Sequence, residues 1–311
     1  MTNGVGMRHA SFSRDGTKLA YSQGRRVSNV WRVPLLEERV ATWGDAEQVT
    51  FDQAFIEFLD VSPDDSWVVI SSDRGGNQDL WKFPAAGGEM IQMTSDPATD
   101  LGPVWSPNGE EIAFYSTRTG LRQQFIVPSE GGAARRVLTS EASDWSGRWS
   151  ADGERFVFGS DRSGNLDVWV VGTDGTDARQ ITTHAGRDMM PLWSPAGDEI
   201  IFTSERDGAR SLYRMPVDGG EPKSISAIPA SYARWSRNGQ TLYWIEFGAA
   251  SGNIWAVSPR TGTERRMTDL ERKGGNLGTY GLAVTDTHLY FTWEEDRGDI
   301  WVMDVVTDET E

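Results

Sequence analysis

The sequence contains no cysteine and only three histidines among its 311 residues. Without cysteine the chain can form no disulfide, offers no thiolate nucleophile and cannot build a cysteine-ligated zinc or iron–sulfur site. No apolar run approaches the length of a membrane span, and no stretch of helical length carries apolar residues at helical spacing. These absences exclude disulfide scaffolds, membrane-spanning helices and helical repeats.

Positive charge is also scarce, because 46 acidic residues outnumber 30 basic ones and give a formal net charge of −16. Such a chain repels phosphate backbones and anionic membrane surfaces, so we expect neither nucleic-acid binding nor membrane insertion. The first residues, MTNGVGMRHASFSRDG, lack the apolar segment of a secretory signal. The sequence therefore predicts a soluble protein, which we expect to be a monomer, and it leaves open whether the compartment is the cytoplasm or the periplasm.

Familiar catalytic motifs are missing as well. The sequence has no G-x-S-x-G elbow, no H-E-x-x-H pair and no P-loop. It also has no G-x-G-x-x-G following a predicted strand. No complete catalytic set can be read from the chain, and whether the protein is an enzyme stays open.

A repeat organises the sequence that is present. Segments related to WSPNG recur 42 to 49 residues apart, a period typical of propellers, solenoids and arrays. Their first residues are Phe12, Val61, Trp105, Trp149, Trp193, Trp235 and, in a degenerate copy, Leu282. We interpret these anchors as a packing code, because stacked units with equivalent surroundings select the same large side chains.

Each repeat reads as four strands separated by glycine-containing turns, which predicts an all-β fold, a β-propeller of four-stranded antiparallel blades. Seven anchors favour seven blades, with six as the alternative. The predicted blades form one domain over 1–311 and span 8–51, 54–95, 98–140, 142–184, 186–227, 229–269 and 276–306. Because the last repeat stops after its third strand, DIWVM, residues 1–7 are expected to complete it.

The segments WSPNGEEIAFYSTRTG and WSADGERFVFGSDRSGNLDVWVVGTDGTDARQIT resemble the WD40-like Pro-Asp repeat of TolB-type propellers. Similar blades occur in the propeller domains of tricorn and prolyl oligopeptidase-family peptidases. The resemblance covers almost the whole chain and implies the fold. It implies less about function, since such blades occur in partner-binding proteins, in sensors and in non-catalytic halves of peptidases.

Acidic residues recur just before the anchors. Asp100, Asp144 and Asp188 each lie five residues before a tryptophan anchor, and Glu57 lies four before Val61. Ring symmetry would aim them at one channel mouth, where converging carboxylates favour a divalent cation: calcium, or zinc if histidines join. Alternatively the aspartates serve the repeat and pair with its arginines, which are Arg74, Arg118, Arg162 and Arg206.

Two histidines also belong near the channel. His184 and His9 are the candidate general bases, whereas His288 lies in a turn on the opposite face. The run ERKGGNLGTYG, residues 271–281, breaks the repeat. It is either a solvent loop or a rim that places Lys273, Asn276 and Tyr280 over the channel.

Three functions remain compatible with the sequence. The leading one is a TolB-like module that binds a protein partner or a small molecule at the channel mouth. The second is a metal-dependent hydrolase of esters or phosphotriesters, in which a channel cation activates water. The third is a non-catalytic propeller domain of a larger peptidase or regulator.

Overall fold

The repeats fold into antiparallel sheets joined by tight turns. The computed structural model describes residues 7–248, 252–270 and 274–305. In chain order the first strands are β1 (Met7–Phe12), β2 (Lys18–Pro34), β3 (Ala41–Thr42) and β4 (Glu47–Gln48). A 3-10 turn at Asp73–Gly75 is the one helical element among the described residues, and none of them forms a helix long and apolar enough to cross a membrane.

Five four-stranded sheets follow, which we call blades I to V, each ordered from its first strand to its fourth. Blade I has β5 (Ile56–Val61), β6 (Trp67–Ser72), β7 (Asp79–Pro84) and β8 (Ile91–Gln92). Blade II has β9 (Asp100–Trp105), β10 (Glu111–Ser116), β11 (Gln123–Pro128) and β12 (Arg135–Arg136). Blade III has β13 (Asp144–Trp149), β14 (Arg155–Ser160), β15 (Asp167–Gly172) and β16 (Arg179–Gln180).

The remaining strands complete the described chain. Blade IV has β17 (Asp188–Trp193), β18 (Glu199–Ser204), β19 (Ser211–Pro216) and β20 (Lys223–Ser224). Blade V has β21 (Ala230–Trp235), β22 (Leu242–Glu246), β23 (Ile254–Val257) and β24 (Glu264–Arg266). The last strands are β25 (Thr268–Asp269), β26 (Asn276–Val284) and β27 (His288–Asp304).

Blade VI combines both ends of the chain. From inside to outside its strands are β26, the first half of β27, the second half of β2, and β4. The six inner strands contact one another in a closed cycle: β5, β9, β13, β17, β21, β26 and back to β5. The described residues thus form an all-β ring of six blades, and the predicted propeller architecture is confirmed.

The blade count corrects the favoured expectation of seven in favour of the alternative of six. The first predicted blade, 8–51, does not form a sheet of its own. Its anchor Phe12 is 65% exposed at the end of β1, and its third and fourth strands instead complete the two-stranded last repeat. Six of the seven anchors therefore belong to blades, and Phe12 lies outside them on β1, because one repeat is divided between the two ends.

Ring closure also differs from the expectation for residues 1–7. Residues 1–6 lie outside the described residues, and Met7 pairs with Gln23. The DIWVM segment pairs with β2, from Leu19↔Met303 to Gln23↔Asp299. This pairing continues past the blade as a ribbon of β1, β2 and β27, so closure comes from the second half of β2.

The core lies between blades, because each sheet is covered on both faces by its neighbours. One cluster joins Val69 and Leu80 of blade I to Trp105, Ile112 and Phe114 of blade II. A two-faced sheet explains why the second strands are buried at nearly every position and do not alternate. The tryptophan anchors occupy equivalent ladder positions, and Trp105 and Trp193 are buried while Trp149 and Trp235 are half-buried.

A matched pair of proline substitutions tests this closure. Val30→Pro removes the bond from the Val30 N–H to the Thr50 hydroxyl, 2.9 Å, inside the closing strand. It should cost at least about 2 kcal/mol in urea unfolding. Ala10→Pro disturbs only the ribbon and should leave the unfolding midpoint close to wild type. Equal losses in the two variants would show that the ribbon and the ring unfold as one unit.

Candidate functional site

The three recurrent aspartates are fully buried, and each is the first residue of an inner strand, in blades II, III and IV. Each is paired with an arginine of its own blade. The shortest N–O distances are 2.8 Å for Arg118–Asp100, 2.8 Å for Arg162–Asp144 and 3.1 Å for Arg206–Asp188. The structure therefore directs these carboxylates into the blades and not toward a common cation.

The arginines are held from both sides. Each Nε donates to a serine hydroxyl two residues earlier, at 2.9 Å in all three blades. Each guanidinium also lies over an aromatic ring of the third strand, 4.7 to 4.8 Å from its centroid. The stacked rings are Phe125, Trp169 and Tyr213. Aspartate, serine, arginine and aromatic thus form one recurrent structural unit, the alternative that the sequence left open.

Among the described residues, no three His, Asp or Glu side chains are grouped as ligands for a metal ion. Arg74, the fourth repeat arginine, lies 3.5 Å from Asp52 because Ile56 replaces the aspartate in blade I. Glu57 lies apart from the aspartates, in the lining of the channel mouth. The expected convergence of Glu57 with Asp100, Asp144 and Asp188 is therefore not found.

The predicted histidine bases are not brought together either. His184 is exposed in the loop before β17, and its Nδ1 accepts a bond from the Gly186 N–H at 2.9 Å. His9 lies on β1 in the ribbon, and its side chain is outside the described residues. His288 lies at the start of β27, just after the turn that follows β26. No histidine in the described part lines the channel-mouth pocket.

The loop expected to form a rim contributes one residue to the mouth. Tyr280 lines the pocket, Asn276 is exposed at the start of β26, and Lys273 lies outside the described residues. Residues 276–284 form an inner strand with a register break between Leu277 and Leu282. The segment is thus largely an element of blade VI, which brings Tyr280 over the channel.

We call the end of the channel where the inner strands begin the upper mouth. It holds a pocket of about 270 Å³ whose floor is aromatic. Phe58 and Tyr280 stack with centroids 5.1 Å apart, and Tyr115 meets Phe58 edge-on at 6.0 Å. Tyr232 packs against both members of the stacked pair, at 6.0 Å each. These four rings close the channel below the pocket.

Local backbone features make room for this floor. Every inner strand has a register shift near its middle, and a bulge of this kind redirects side chains. Tyr232 has φ +50° at its bulge, an unfavourable backbone for a bulky residue. Gly102, with φ +64°, leaves space that Tyr115 fills, since a Cβ there would lie 2.7 Å from the ring.

Basic side chains surround the floor. Arg122, Arg187 and Arg210 line the pocket, and the first two are exposed. The Arg122 guanidinium lies 5.6 Å from the Trp145 ring, whereas Arg210 pairs with Glu205 at 2.8 Å. Within the described ranges neither Arg122 nor Arg187 has an ion-pair partner. In a protein of charge −16 this rim concentrates positive charge at one site.

Glu57 is the acidic member of the lining. Burial raises the pKa of its carboxyl, the charge of Glu294 raises it further, and Arg122 opposes both effects. Burial also raises the pKa of Glu294. The folded protein therefore holds protons on this pair more readily than the unfolded chain does.

Sequence reasoning missed the floor and the rim. Tyr115 is the one aromatic residue at its position in the repeat, and Phe58 and Tyr232 share a position, three residues before the anchor, where the other blades carry no aromatic residue. Arg122 and Arg210 lie in the turns between second and third strands, which were recognised only as turns. A comparison of the repeats position by position, looking for departures from the pattern, would have revealed them.

The comparisons with known proteins agree with the fold. The family model for the TolB β-propeller domain matches residues 7–160 and 142–305, so the chain belongs to the TolB β-propeller family. No protein of curated function matches the sequence.

Two TolB structures are similar in fold. The putative TolB from Agrobacterium tumefaciens is 21% identical with a TM-score of 0.72, and the match covers 88% of this chain and 99% of that one. TolB from Acinetobacter baumannii is 14% identical with a TM-score of 0.62, over 86% of this chain and 65% of that one.

A puromycin-hydrolyzing peptidase from Mycobacterium tuberculosis also matches, at 14% identity and a TM-score of 0.54. The match covers 90% of this chain and 49% of the peptidase, so the chain spans about half of that protein. At these identities the likeness shows the fold alone.

The buried ion pairs give a stability prediction. Asp188→Ala leaves Arg206 largely buried without its carboxylate and should cost about 3 to 5 kcal/mol in urea unfolding. Asp218→Ala removes an exposed carboxylate, 3.8 Å from Arg179, and should have almost no effect. Because arginine already neutralises the aspartates, calcium or zinc should not stabilise the wild type. Cation-dependent stabilisation that disappears in Asp188→Ala would contradict the pairing.

The Glu57 shift predicts a pH dependence. A carboxyl whose pKa is higher in the folded state stabilises the fold at low pH, and this contribution is lost as pH rises through the folded pKa. Glu57→Gln should therefore match wild-type thermal stability below about pH 4 and exceed it near neutrality. Melting curves across this range measure the difference. A variant that is less stable than wild type at neutral pH would refute the assignment.

Proposed function

We propose that this TolB-type propeller is a binding module that takes an acidic, extended segment of a protein partner at its upper mouth. The observation that carries this proposal is the joining of an aromatic floor to an exposed arginine rim in one pocket. The floor offers ring faces to an apolar side chain, and the rim offers charge-assisted hydrogen bonds to carboxylates.

The size of the pocket favours part of a protein over a separate small molecule. Clefts that enclose drug-sized ligands have about 300 to 1,000 Å³, whereas the upper-mouth pocket has about 270 Å³. That volume suits one or two inserted side chains. The rest of the affinity would come from contacts around the mouth, as in interfaces where a few anchors fill pockets.

The ribbon supplies such a surrounding surface. β27 runs from the turn after β26 to the upper mouth at Glu294, and then continues to Asp304 beyond the upper face. Its last residues are large, apolar and exposed. They are Ile300 at 79%, Trp301 at 52%, Val302 at 61% and Met303 at 51% exposure. Consecutive exposed residues occupy both faces of the ribbon, as a surface covered by a protein partner would require.

The edge of the ribbon adds backbone groups. Over residues 297–304, β27 pairs with β2 on one side, and on the other side no strand of the described chain pairs with it. An extended segment can add to such an edge through main-chain hydrogen bonds. The ribbon starts beside Gln53, whose Oε1 lies 3.5 Å from Arg297 Nη1. One partner segment could therefore contact both the ribbon and the mouth.

The hydrolase alternative has less support in the geometry. The aspartates that were expected to hold a cation are bound by arginines, and His184 lies outside the pocket lining. The alternative of a domain from a larger peptidase rests on fold likeness alone. Binding is the function that the upper mouth supports best.

Peptides selected from a random display library against the purified protein test the proposal. We expect them to be rich in Asp and Glu with an aromatic residue, and Arg122→Ala or Tyr280→Ala should weaken their binding about tenfold or more. Arg135→Ala is the matched control, because Arg135 lies on the outer strand of blade II. Fluorescence anisotropy measures the affinities. Selected peptides whose binding is unchanged in both mouth variants would overturn the proposal.

A further inference from the structure

The channel has a second, opposite end with its own departure from the repeat. We call the end where the inner strands finish the lower mouth. In blades I to V the residue just before the anchor lies at one ladder level. In blade VI the pairing places Val284 at the level of the anchors, so Ala283 takes this position. In blades I to VI these residues are Asp60, Val104, Arg148, Leu192, Arg234 and Ala283. Three blades carry an apolar residue at this position, so packing of the repeat does not require arginine there.

Arg148 is held in place within the channel. It is 9% exposed, and its Nη2 donates to the Tyr232 hydroxyl at 2.9 Å. Its guanidinium carbon lies 5.4 Å from the centroid of the same ring. Arg148 thus contacts the aromatic floor from below, through Tyr232.

Arg234 approaches the same ring from blade V. Its guanidinium lies 4.1 Å from the Tyr232 centroid, and Nη1 donates to the Ala233 carbonyl at 3.0 Å. Its Nη2 is buried and has no hydrogen-bond partner in the described part of the chain. Burial, reinforced by the positive charge of Arg148, lowers the pKa of Arg234. A buried cationic donor without an acceptor is costly, and a bound anion would relieve that cost.

The other charged groups at the lower mouth are Arg237, which forms an ion pair, and Asp60, which accepts a backbone hydrogen bond. Arg237 reaches across to Asp65, with Nη2 2.7 Å from Oδ1. Asp60 accepts the Trp105 N–H at 2.9 Å, and within the described ranges it forms no ion pair with Arg148 or Arg234. The two arginines and Asp60 together leave one positive charge. This balance matches a singly charged anion better than a dianion.

The surrounding space is large enough for a ligand. A pocket of about 430 Å³ opens here, lined by both arginines and by four anchor tryptophans. The tryptophans are Trp105, Trp149, Trp193 and Trp235. This volume lies within the usual range for small-molecule sites. Arginine forks match the planar geometry of a carboxylate, and tryptophan rings favour an apolar or aromatic body attached to it.

We propose that the lower mouth is a binding site for a monocarboxylate, with Arg234 and Arg148 as its anion receptors. The carboxylate belongs either to a free aromatic or apolar acid or to the C-terminus of a peptide that enters from below. The site is separate from the upper mouth, because Tyr232 and the aromatic floor lie between them. It does not depend on the proposed partner at the upper mouth.

Benzoate and benzamide distinguish charge recognition from ring stacking. Calorimetry and tryptophan fluorescence should show benzoate binding to the wild type, with benzamide at least about tenfold weaker. A short peptide ending in phenylalanine, with a free or an amidated C-terminus, separates the two sources. Tighter binding of the free-acid peptide than of benzoate indicates a chain terminus, and the reverse order indicates a small acid. Absence of binding by benzoate and by the free-acid peptide overturns the proposal.

Three variants assign the site. Arg234→Met removes a guanidinium whose buried Nη2 has no acceptor among the described residues, so it should fold at least as stably as wild type and lose benzoate binding by about tenfold or more. Asp60→Asn removes a neighbouring negative charge and should tighten binding, a gain that misfolding cannot produce. Arg135→Ala on the outer strand of blade II should leave benzoate affinity unchanged. Unchanged affinity in Arg234→Met, or weaker binding in Asp60→Asn, would place the anion elsewhere.

Discussion

The pairing of β2 with β27 is the constraint on which the rest of the molecule depends. It runs without a register break from Lys18↔Asp304 to Pro34↔His288 and joins the two ends of the described chain in one sheet. A second connection supports it, because β25 pairs in parallel with β3 and the Trp43 indole donates to the Leu270 carbonyl at 2.9 Å. With the ring closed, each blade is covered by two neighbours, and both of its faces can be apolar.

Closure also determines what the channel can do. Six inner strands arranged around one axis bring corresponding residues to one level, so a single substitution in one repeat faces its counterparts in the others. Residues that keep the pattern form the Asp–Ser–Arg–aromatic units and the anchor layer. Residues that depart from it, such as Tyr232, Arg148 and Arg234, project where blades meet at the axis. In this fold we therefore expect functional residues at positions where one blade departs from the repeat pattern.

The sequence predicted most of the fold and little of the site, for one physical reason. The strands of blades I to V follow the period, the turns and the anchors, which are local features of the sequence. Closure was mispredicted because the β2–β27 pairing joins residues more than 250 positions apart, and no local pattern encodes it. Asp100, Asp144 and Asp188 recur because they serve the repeat, so recurrence directed attention away from the channel.

The aromatic floor gives the two mouths separate chemistry. Phe58 and Tyr232 are almost fully buried, and Tyr115 and Tyr280 complete the closure between the pockets. A ligand could pass from one end to the other only by displacing these rings, and moving one fully buried aromatic side chain into water costs about 1.5 to 3 kcal/mol. The channel is thus two back-to-back pockets and not a conduit. A basic rim above and a paired arginine site below then place the positive charge of an acidic protein at the two positions where anionic ligands can approach the axis.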